Sequence, residues 1–183
     1  MEQVLDANLQ EFIDNWPLFK DRVVLFLGAG ASYGALGVNG QPLPNGFELR
    51  NRLWRDLKHA GAPDSFDPAE LKLMPLEHAA AIIEAKTGRP ELVRYLTEQF
   101  TCDTPLWQHV ALPYLNPHAI LTTNYDDLVE LGYKTHPAKP DVICDNRRPT
   151  TGHVPIYKPH GSLSHSGRPI GQGGLVITQF DYF

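Results

Sequence analysis

Two hydrophobic periodicities alternate along this chain. Apolar residues recur at helical spacing from Leu5 to Trp16, and Pro17 is expected to end this helix or to bend its exit. Residues 107–115 give a mixed pattern because prolines interrupt them. The remaining predicted helices begin at Gly46, span residues 75–86, run from Pro90 through Phe100, and cover residues 125–131.

Short apolar runs between turn residues predict the strands. Residues 22–27 are apolar after Arg22 and are followed at once by glycine, which is typical of a strand buried on both faces. Residues 118–123 predict a second buried strand, a weak strand is possible at residues 142–144, and residues 154–157 and 175–178 are further strand candidates. Because strands alternate with helices, we predict an α/β fold: a Rossmann-like parallel sheet with an inserted helical lobe at about residues 46–116.

Composition narrows the class of protein. The chain has 183 residues, 42% of them hydrophobic, which suits a single globular domain over residues 1–183. Sixteen basic against twenty-one acidic residues leave no bulk basic surface, so we expect no direct nucleic-acid partner and no membrane partner. The start of the chain has no secretory pattern, which predicts a cytoplasmic protein. Few strands and an apolar end at residues 180–183 suggest an incomplete fragment of a longer chain.

Three segments that follow predicted strands carry the candidate chemistry. The first is Gly28-Ala29-Gly30-Ala31-Ser32, directly after the first strand. Glycines allow a sharp turn and a close approach of the backbone to a ligand. Backbone N–H groups that are free at such a turn can then hold the pyrophosphate of that ligand. The segment differs from the dehydrogenase fingerprint, whose third glycine would fall at Tyr33. The alternative is a tight turn without a ligand.

The second segment, Thr122-Thr123-Asn124-Tyr125-Asp126-Asp127, follows the second long strand. Ligands of open α/β sheets bind at this carboxyl end, where Asn124 and Asp126 could together fix an amide and a sugar hydroxyl. The alternative is a helix N-cap, for which both residue types are favoured.

The third segment is Tyr157-Lys158-Pro159-His160-Gly161-Ser162. Proline and glycine constrain the loop around His160, and histidine can act as a general base near neutral pH. The alternative is a structural histidine.

A metal site is not predicted. His153, His160 and His165 lie at intervals of seven and five residues, which is not the spacing of a zinc-binding helix. The two cysteines, Cys102 and Cys144, form no C-x-x-C pair.

In their order, the three segments resemble the motifs of the sirtuin-like family. The first resembles its G-A-G-x-S loop, the second its T-T-N-x-D motif, and the third its K-x-H-G-S motif. Residues 42–49 also resemble a stretch that follows the first loop in prokaryotic members. The resemblance implies a sirtuin-like NAD-binding domain. Its implied site residues are Gly28, Ala29, Gly30 and Ser32 around the pyrophosphate and ribose of NAD, Asn124 beside the nicotinamide ribose, Asp126 at the carboxamide, and His160 as the catalytic histidine.

The cysteine content points to one branch of that family. Deacylating sirtuins carry a four-cysteine zinc ribbon beside the acyl-lysine cleft, which two cysteines cannot build. The chain therefore resembles the zinc-free, NAD-hydrolysing domains of bacterial antiphage systems. The resemblance implies an NAD glycohydrolase that releases nicotinamide and ADP-ribose, with NAD as substrate and no zinc, although the isolated 183-residue chain could be inactive. It also implies a homo-oligomer, or a sensor or effector partner chain or domain. The alternatives are a non-catalytic sensor of NAD or ADP-ribose, an NAD-dependent protein deacylase or ADP-ribosyltransferase, and a purely structural module.

Overall fold

The computed structural model describes residues 7–57 and 73–182, in which four strands and six α-helices form a mixed α/β structure. The strands are β1 (Val24–Leu27), β2 (Ala119–Thr122), β3 (Pro140–Ile143) and β4 (Val154–Tyr157). The α-helices are α1 (Ala7–Phe19), α2 (Gly46–Leu57), α3 (Leu76–Thr87), α4 (Arg89–Phe100), α5 (Trp107–Leu115) and α6 (Leu128–Gly132).

The strands form one parallel sheet in the order β1-β2-β4-β3. In register, Leu25 lies beside Ile120, which in turn lies beside Ile156. All four strands point the same way, so the loops that follow them emerge at one edge. The predicted parallel α/β sheet is confirmed, and the arrangement is consistent with a Rossmann-like fold.

Two apolar clusters support the sheet edge. Helices α5 and α6 cover one face of the sheet with a cluster that contains Leu112, Ile120, Val129, Tyr133 and Ile156. Helices α2, α3 and α4 form a second cluster with one another, which Tyr125 and two residues of segment 175–182 also join. The second cluster thus lies against the loop that follows β2. The boundaries of an inserted lobe stay a prediction.

Proline and glycine residues lie at or near several helix ends. Gly88 ends α3 with a φ of 83°, and Pro90 lies in the first turn of α4, as predicted. Pro17 does not end α1, which continues to Phe19 because a proline removes only one N–H donor. The predicted start at Leu5 falls outside the described residues. None of the helices in the two described ranges combines the length and apolarity that a bilayer span requires.

The prediction that the first strand is buried on both faces is wrong. β1 is an edge strand, and its alternate side chains Val24 and Phe26 are 52% and 67% exposed. Their opposite neighbours, Leu25 and Leu27, pack against the cluster under α5 and α6. A continuous apolar sequence does not show whether one face of the strand or both faces are covered by other elements.

A strand at residues 175–178 is also not formed, although all four residues are buried. Their backbone groups bond to other partners: the N–H of Val176 donates to the His160 carbonyl, and those of Ile177 and Thr178 donate to the Asp181 carboxylate. Burial explains the strand-like sequence, while one backbone carbonyl and one side-chain carboxylate take the place of a neighbouring strand.

The helix predicted from residue 125 begins only at Leu128, because the preceding loop is held by a buried lysine. The Lys158 side chain, 0% exposed, donates to the Asp126 carbonyl over 2.6 Å. Its ammonium also lies 2.9 Å from Glu130 Oε1 and 3.3 Å from Asp127 Oδ1. Burial lowers the pKa of Lys158, but these carboxylates outweigh it, so the pKa lies above its usual value. The lysine therefore stays charged and joins the end of β4 to the loop after β2.

Replacing Lys158 by methionine should destabilise the fold. Lys158→Met leaves Glu130 and Asp127 without their cation, and removing one partner of a buried ion pair lowers the free energy of unfolding by about 3–5 kcal/mol. Urea denaturation measures the loss.

Two matched variants make this prediction specific. Lys134→Met changes an exposed lysine nearby and should alter stability by less than about 0.5 kcal/mol. Adding Glu130→Gln to Lys158→Met removes one of the stranded charges and should recover part of the loss. Equal stability of the two lysine variants would contradict the role of Lys158.

Candidate functional site

The three predicted segments meet at the carboxyl edge of the sheet. They follow β1, β2 and β4, which are neighbours in the sheet order. Together they border a cavity of about 200 Å³. Five of the seven predicted site residues line it: Ala29, Ser32, Asn124, Asp126 and His160. The other two, Gly28 and Gly30, belong to the same loop but do not line the cavity. The cavity therefore brings together predicted residues that lie up to 131 positions apart in sequence, Ala29 and His160.

The remaining wall of the cavity is apolar. It is contributed by the loop before α2, by α2 itself, and by the ends of α3 and α4. The side chains are Leu43, Pro44, Leu49, Leu76 and Phe100, and the ring of Tyr125 from the second segment lies beside them. Apolar walls with a few convergent polar groups are typical of small-molecule sites. Residues 42–49, singled out in the sequence, thus contribute to the site.

Asn124 joins the first loop to the second. Its Nδ2 donates to the Gly28 carbonyl over 3.1 Å and to Ser32 Oγ over 3.0 Å. The Ser32 hydroxyl has one proton, which it donates to Asp126 Oδ2 over 2.9 Å, so it must accept from Asn124. Both hydrogens on the amide nitrogen of Asn124 are therefore donated to acceptors within the protein. Within the described residues, its Oδ1 accepts no hydrogen bond and is available to a ligand.

Asp126 is 3% exposed, and both its carboxylate oxygens accept internal hydrogen bonds. Oδ2 accepts from Ser32, and Oδ1 accepts from the backbone N–H of Leu128 at 3.2 Å. The second bond closes a turn that leads into α6, whose N-cap residue, Asp127, makes no side-chain capping bond. Asp126 therefore organises the site, and direct contact with a carboxamide stays a prediction.

His160 is half-buried at the cavity wall. Burial lowers the pKa of its imidazole below the usual 6.5, so the ring is neutral at pH 7. Gly161 follows with a φ of 82°, and a Cβ there would lie 2.3 Å from the Gly174 carbonyl oxygen. Only glycine fits this turn, which fixes the backbone of His160. A neutral imidazole in a constrained loop has the form that a general base requires.

His153 and His165, the other two histidines considered in the sequence, do not line this cavity. His165 Nδ1 lies 3.7 Å from Cys144 Sγ, and burial raises the pKa of that thiol to about 11, so it is not an activated nucleophile. Within residues 7–57 and 73–182, no group of three or more His, Cys, Asp or Glu residues is placed to hold a metal ion. A larger cleft of about 960 Å³ includes His153 and Cys144 but none of the predicted site residues.

Sequence reasoning missed His109, which is fully buried in α5. The backbone N–H of Leu106 donates to its Nδ1 over 3.2 Å, and its Nε2 has no partner among the described residues. Burial lowers its pKa, while the Asp126 carboxylate and the Ala31 carbonyl act in the opposite direction. The adjacent Gln108 donates to that carbonyl over 3.2 Å, so α5 supports the first loop. Gln108 and His109 are the two polar residues near the start of the otherwise apolar segment 107–115, and this pattern was the signal that could have identified them.

Comparison with known proteins supports part of the expected relationship. Residues 118–183, just over a third of the chain, match the model of a family described as a SIR2-like domain. The matched segment includes β2, β3 and β4 with the loops of Asn124 and His160, and it begins after the loop of Gly28. No curated protein matches the chain. The match supports a sirtuin-like family, whose members are NAD-dependent enzymes, and with it an activity that involves NAD.

Proposed function

We propose that this chain is an NAD glycohydrolase, which cleaves the bond between nicotinamide and ribose and transfers the ADP-ribosyl group to water. One observation carries the proposal: a single cavity unites Ser32, Asn124, Asp126 and His160, which come from three loops. The match of residues 118–183 supports NAD as the ligand. The products are nicotinamide and ADP-ribose.

The first loop fits a dinucleotide. Gly28 and Gly30 do not have a positive φ, and a Cβ at either position would meet no atom within 4 Å. The fold itself therefore does not need glycine at these two positions. A ligand that approaches the backbone closely accounts for them, as it does in loops that hold pyrophosphate.

The chemistry that remains for the protein is limited. NAD supplies a cationic pyridinium leaving group that departs as neutral nicotinamide, so the reaction needs no general acid. The residues of the cavity must orient a water molecule and accept its proton. The free Oδ1 of Asn124 accepts from that water or from a ribose hydroxyl. His160 accepts the proton as the water oxygen bonds to the anomeric carbon and the carbon–nitrogen bond breaks.

Asp126 and the apolar wall complete the proposed site. Asp126 holds Ser32, and the remaining lone pairs of its carboxylate can accept from the carboxamide of nicotinamide. Leu43, Pro44 and Phe100 shield the cavity from bulk water. Phe100 also packs edge-on against Tyr125, at 5.5 Å between ring centroids, and so fixes this wall.

We base the acceptor on the cysteine content and the biological setting on the resemblance to zinc-free antiphage domains. With only two cysteines, the chain has no ribbon of four thiolates to wall an acyl-lysine cleft, so water is the proposed acceptor and zinc is not required. We place the protein in the cytoplasm as a regulated effector of antiphage defence. Because uncontrolled loss of NAD would kill the host cell, this role implies control by oligomerisation or by a sensor partner.

Removing the imidazole should abolish turnover but spare binding. His160→Ala should lower nicotinamide release by about 10²- to 10⁴-fold, the usual contribution of a general base, while NAD affinity by calorimetry changes little. His153→Ala, a change outside the cavity, is the matched control and should leave both quantities unchanged. Full turnover by His160→Ala would contradict the proposal. Binding of NAD without cleavage by the unaltered protein would favour a sensor.

The pH profile should follow the lowered pKa of His160. A base must be neutral, so activity is lost as the pH falls and the imidazole takes up a proton. Since burial lowers that pKa below its usual value of 6.5, the acid limb of kcat/KM should have its midpoint below pH 6.5. An acid limb centred above pH 6.5 would exclude His160 in its buried state as the base.

A methyl group on the first loop should affect the ligand rather than the fold. Gly30→Ala should leave the free energy of unfolding within about 0.5 kcal/mol of the unaltered value. It should weaken NAD binding by about tenfold, equivalent to roughly 1.4 kcal/mol. Gly167→Ala, at an equally open glycine outside the three site loops, should change neither. Unchanged NAD affinity in Gly30→Ala would remove the loop from the binding site.

A further inference from the structure

Segment 175–182 bonds to two of the three site loops. The N–H of Val176 donates to the His160 carbonyl over 2.9 Å, and the Tyr125 hydroxyl donates to the Val176 carbonyl over 2.5 Å. Leu175 and Ile177 are buried in the cluster of α2, α3 and α4. The segment is therefore tied to the loop after β2, to the loop after β4 and to the helices.

A buried carboxylate fixes the last turn of this segment. Asp181, whose side chain is 7% exposed, accepts at Oδ2 from the N–H groups of Ile177 and Thr178 at 2.8 and 2.9 Å. The same oxygen lies 2.9 Å from Arg89 Nη1 of α4. Arg89 also donates to the Leu175 carbonyl, so one guanidinium binds both ends of the turn. Burial raises the pKa of Asp181, but these hydrogen bonds and Arg89 outweigh it and hold the pKa below its usual value.

This turn places the Tyr182 ring against His160. The two rings lie 5.7 Å apart between centroids at 90°, in an edge-to-face arrangement. The ring nitrogens of His160 make no hydrogen bond to any described residue, so no carboxylate orients the imidazole. Packing must therefore fix the ring, and Tyr182 is the aromatic side chain that contacts it.

We propose that Tyr182 is a positioning residue for His160, set in place by the Arg89–Asp181 ion pair. The inference rests on the proposed function, in which His160 is the base. A base needs a defined orientation, which a hydrogen-bonded carboxylate supplies in hydrolase triads and which ring packing supplies here. Tyr182 is 55% exposed, so its ring rather than a buried hydroxyl performs this task.

Charged groups around the pair are few. Burial alone lowers the pKa of His160. Burial and the neighbouring carboxylates of Glu77 and Asp181 raise the pKa of Tyr182, so its phenol stays neutral where His160 titrates. A change in the titration of His160 upon loss of the tyrosine ring therefore reports on packing.

The test compares Tyr182→Ala with Tyr182→Phe in the complete chain. The alanine variant should raise the pKa of His160 towards 6.5, as measured by NMR titration of the imidazole, and shift the acid limb of kcat/KM to higher pH. It should lower kcat by about 10- to 100-fold with a smaller effect on the KM for NAD, because binding groups remain while the base is misplaced. The phenylalanine variant keeps the ring and should restore both the titration and kcat.

Two controls separate positioning from loss of structure. Phe180→Ala, in the same turn and 71% exposed, should leave the titration and kcat unchanged. Asp181→Asn should reproduce part of the Tyr182→Ala effect with the tyrosine ring intact. An unchanged His160 titration and kcat in Tyr182→Ala, or a loss in Tyr182→Phe as large as in Tyr182→Ala, would overturn the inference. Failure of the unaltered protein to cleave NAD would overturn the proposed function instead, while the NMR titration would still test the ring contact.

Discussion

The buried ammonium of Lys158 is the constraint on which the site depends. A cation without exposure is stable only when its protons meet acceptors, and the fold brings two carboxylates and the Asp126 carbonyl to it. These acceptors belong to the loop and helix after β2, whereas Lys158 belongs to the loop after β4. Satisfying one charge therefore locks two site loops together. Ser162 strengthens the connection by donating to Asp127 over 2.9 Å.

From this anchor, a directed series of hydrogen bonds reaches the first loop. With the backbone of Asp126 fixed, its carboxylate accepts from Ser32, and Ser32 accepts from Asn124. Every donor in this series is used internally, and the series leaves the side-chain oxygen Oδ1 of Asn124 unused beside the imidazole of His160 at the cavity. Transfer of a group to water needs a hydrogen-bond acceptor that orients the water and a base that takes its proton, and these are the groups that the network leaves free. The same network keeps the loops in place before a ligand binds.

The sequence predicted the sheet and its functional edge better than it predicted burial. The runs around Ile120 and Ile156 are central strands, and periodicity with glycine and proline punctuation placed α2, α3 and α4 correctly. β1 has the same composition but lies at an edge, which depends on neighbours that no local pattern encodes. Residues 175–178 are as apolar as a strand, yet their N–H groups bond to Asp181 and to the His160 loop.

For the candidate site, motif order identified the loops but not their supports. Asn124 and His160 follow strands that periodicity recognises, so their convergence on one edge was foreseeable. Lys158 is part of the third motif, but the sequence did not predict a role for it, because its burial depends on carboxylates about 30 residues earlier in the chain. Tyr182 contacts His160 and Gln108 contacts the first loop, at distances in sequence that spacing arguments do not cover.

The central claim is that three loops form one NAD site, and an NMR titration of the isotopically labelled protein with NAD tests it most directly. The account predicts chemical-shift changes at backbone amides of residues 28–32 and 123–126, together with the imidazole of His160, and signals of free nicotinamide that grow with time. A folded protein whose signals do not change, or change only around the cleft lined by Asp145, Thr150 and His153, would contradict it.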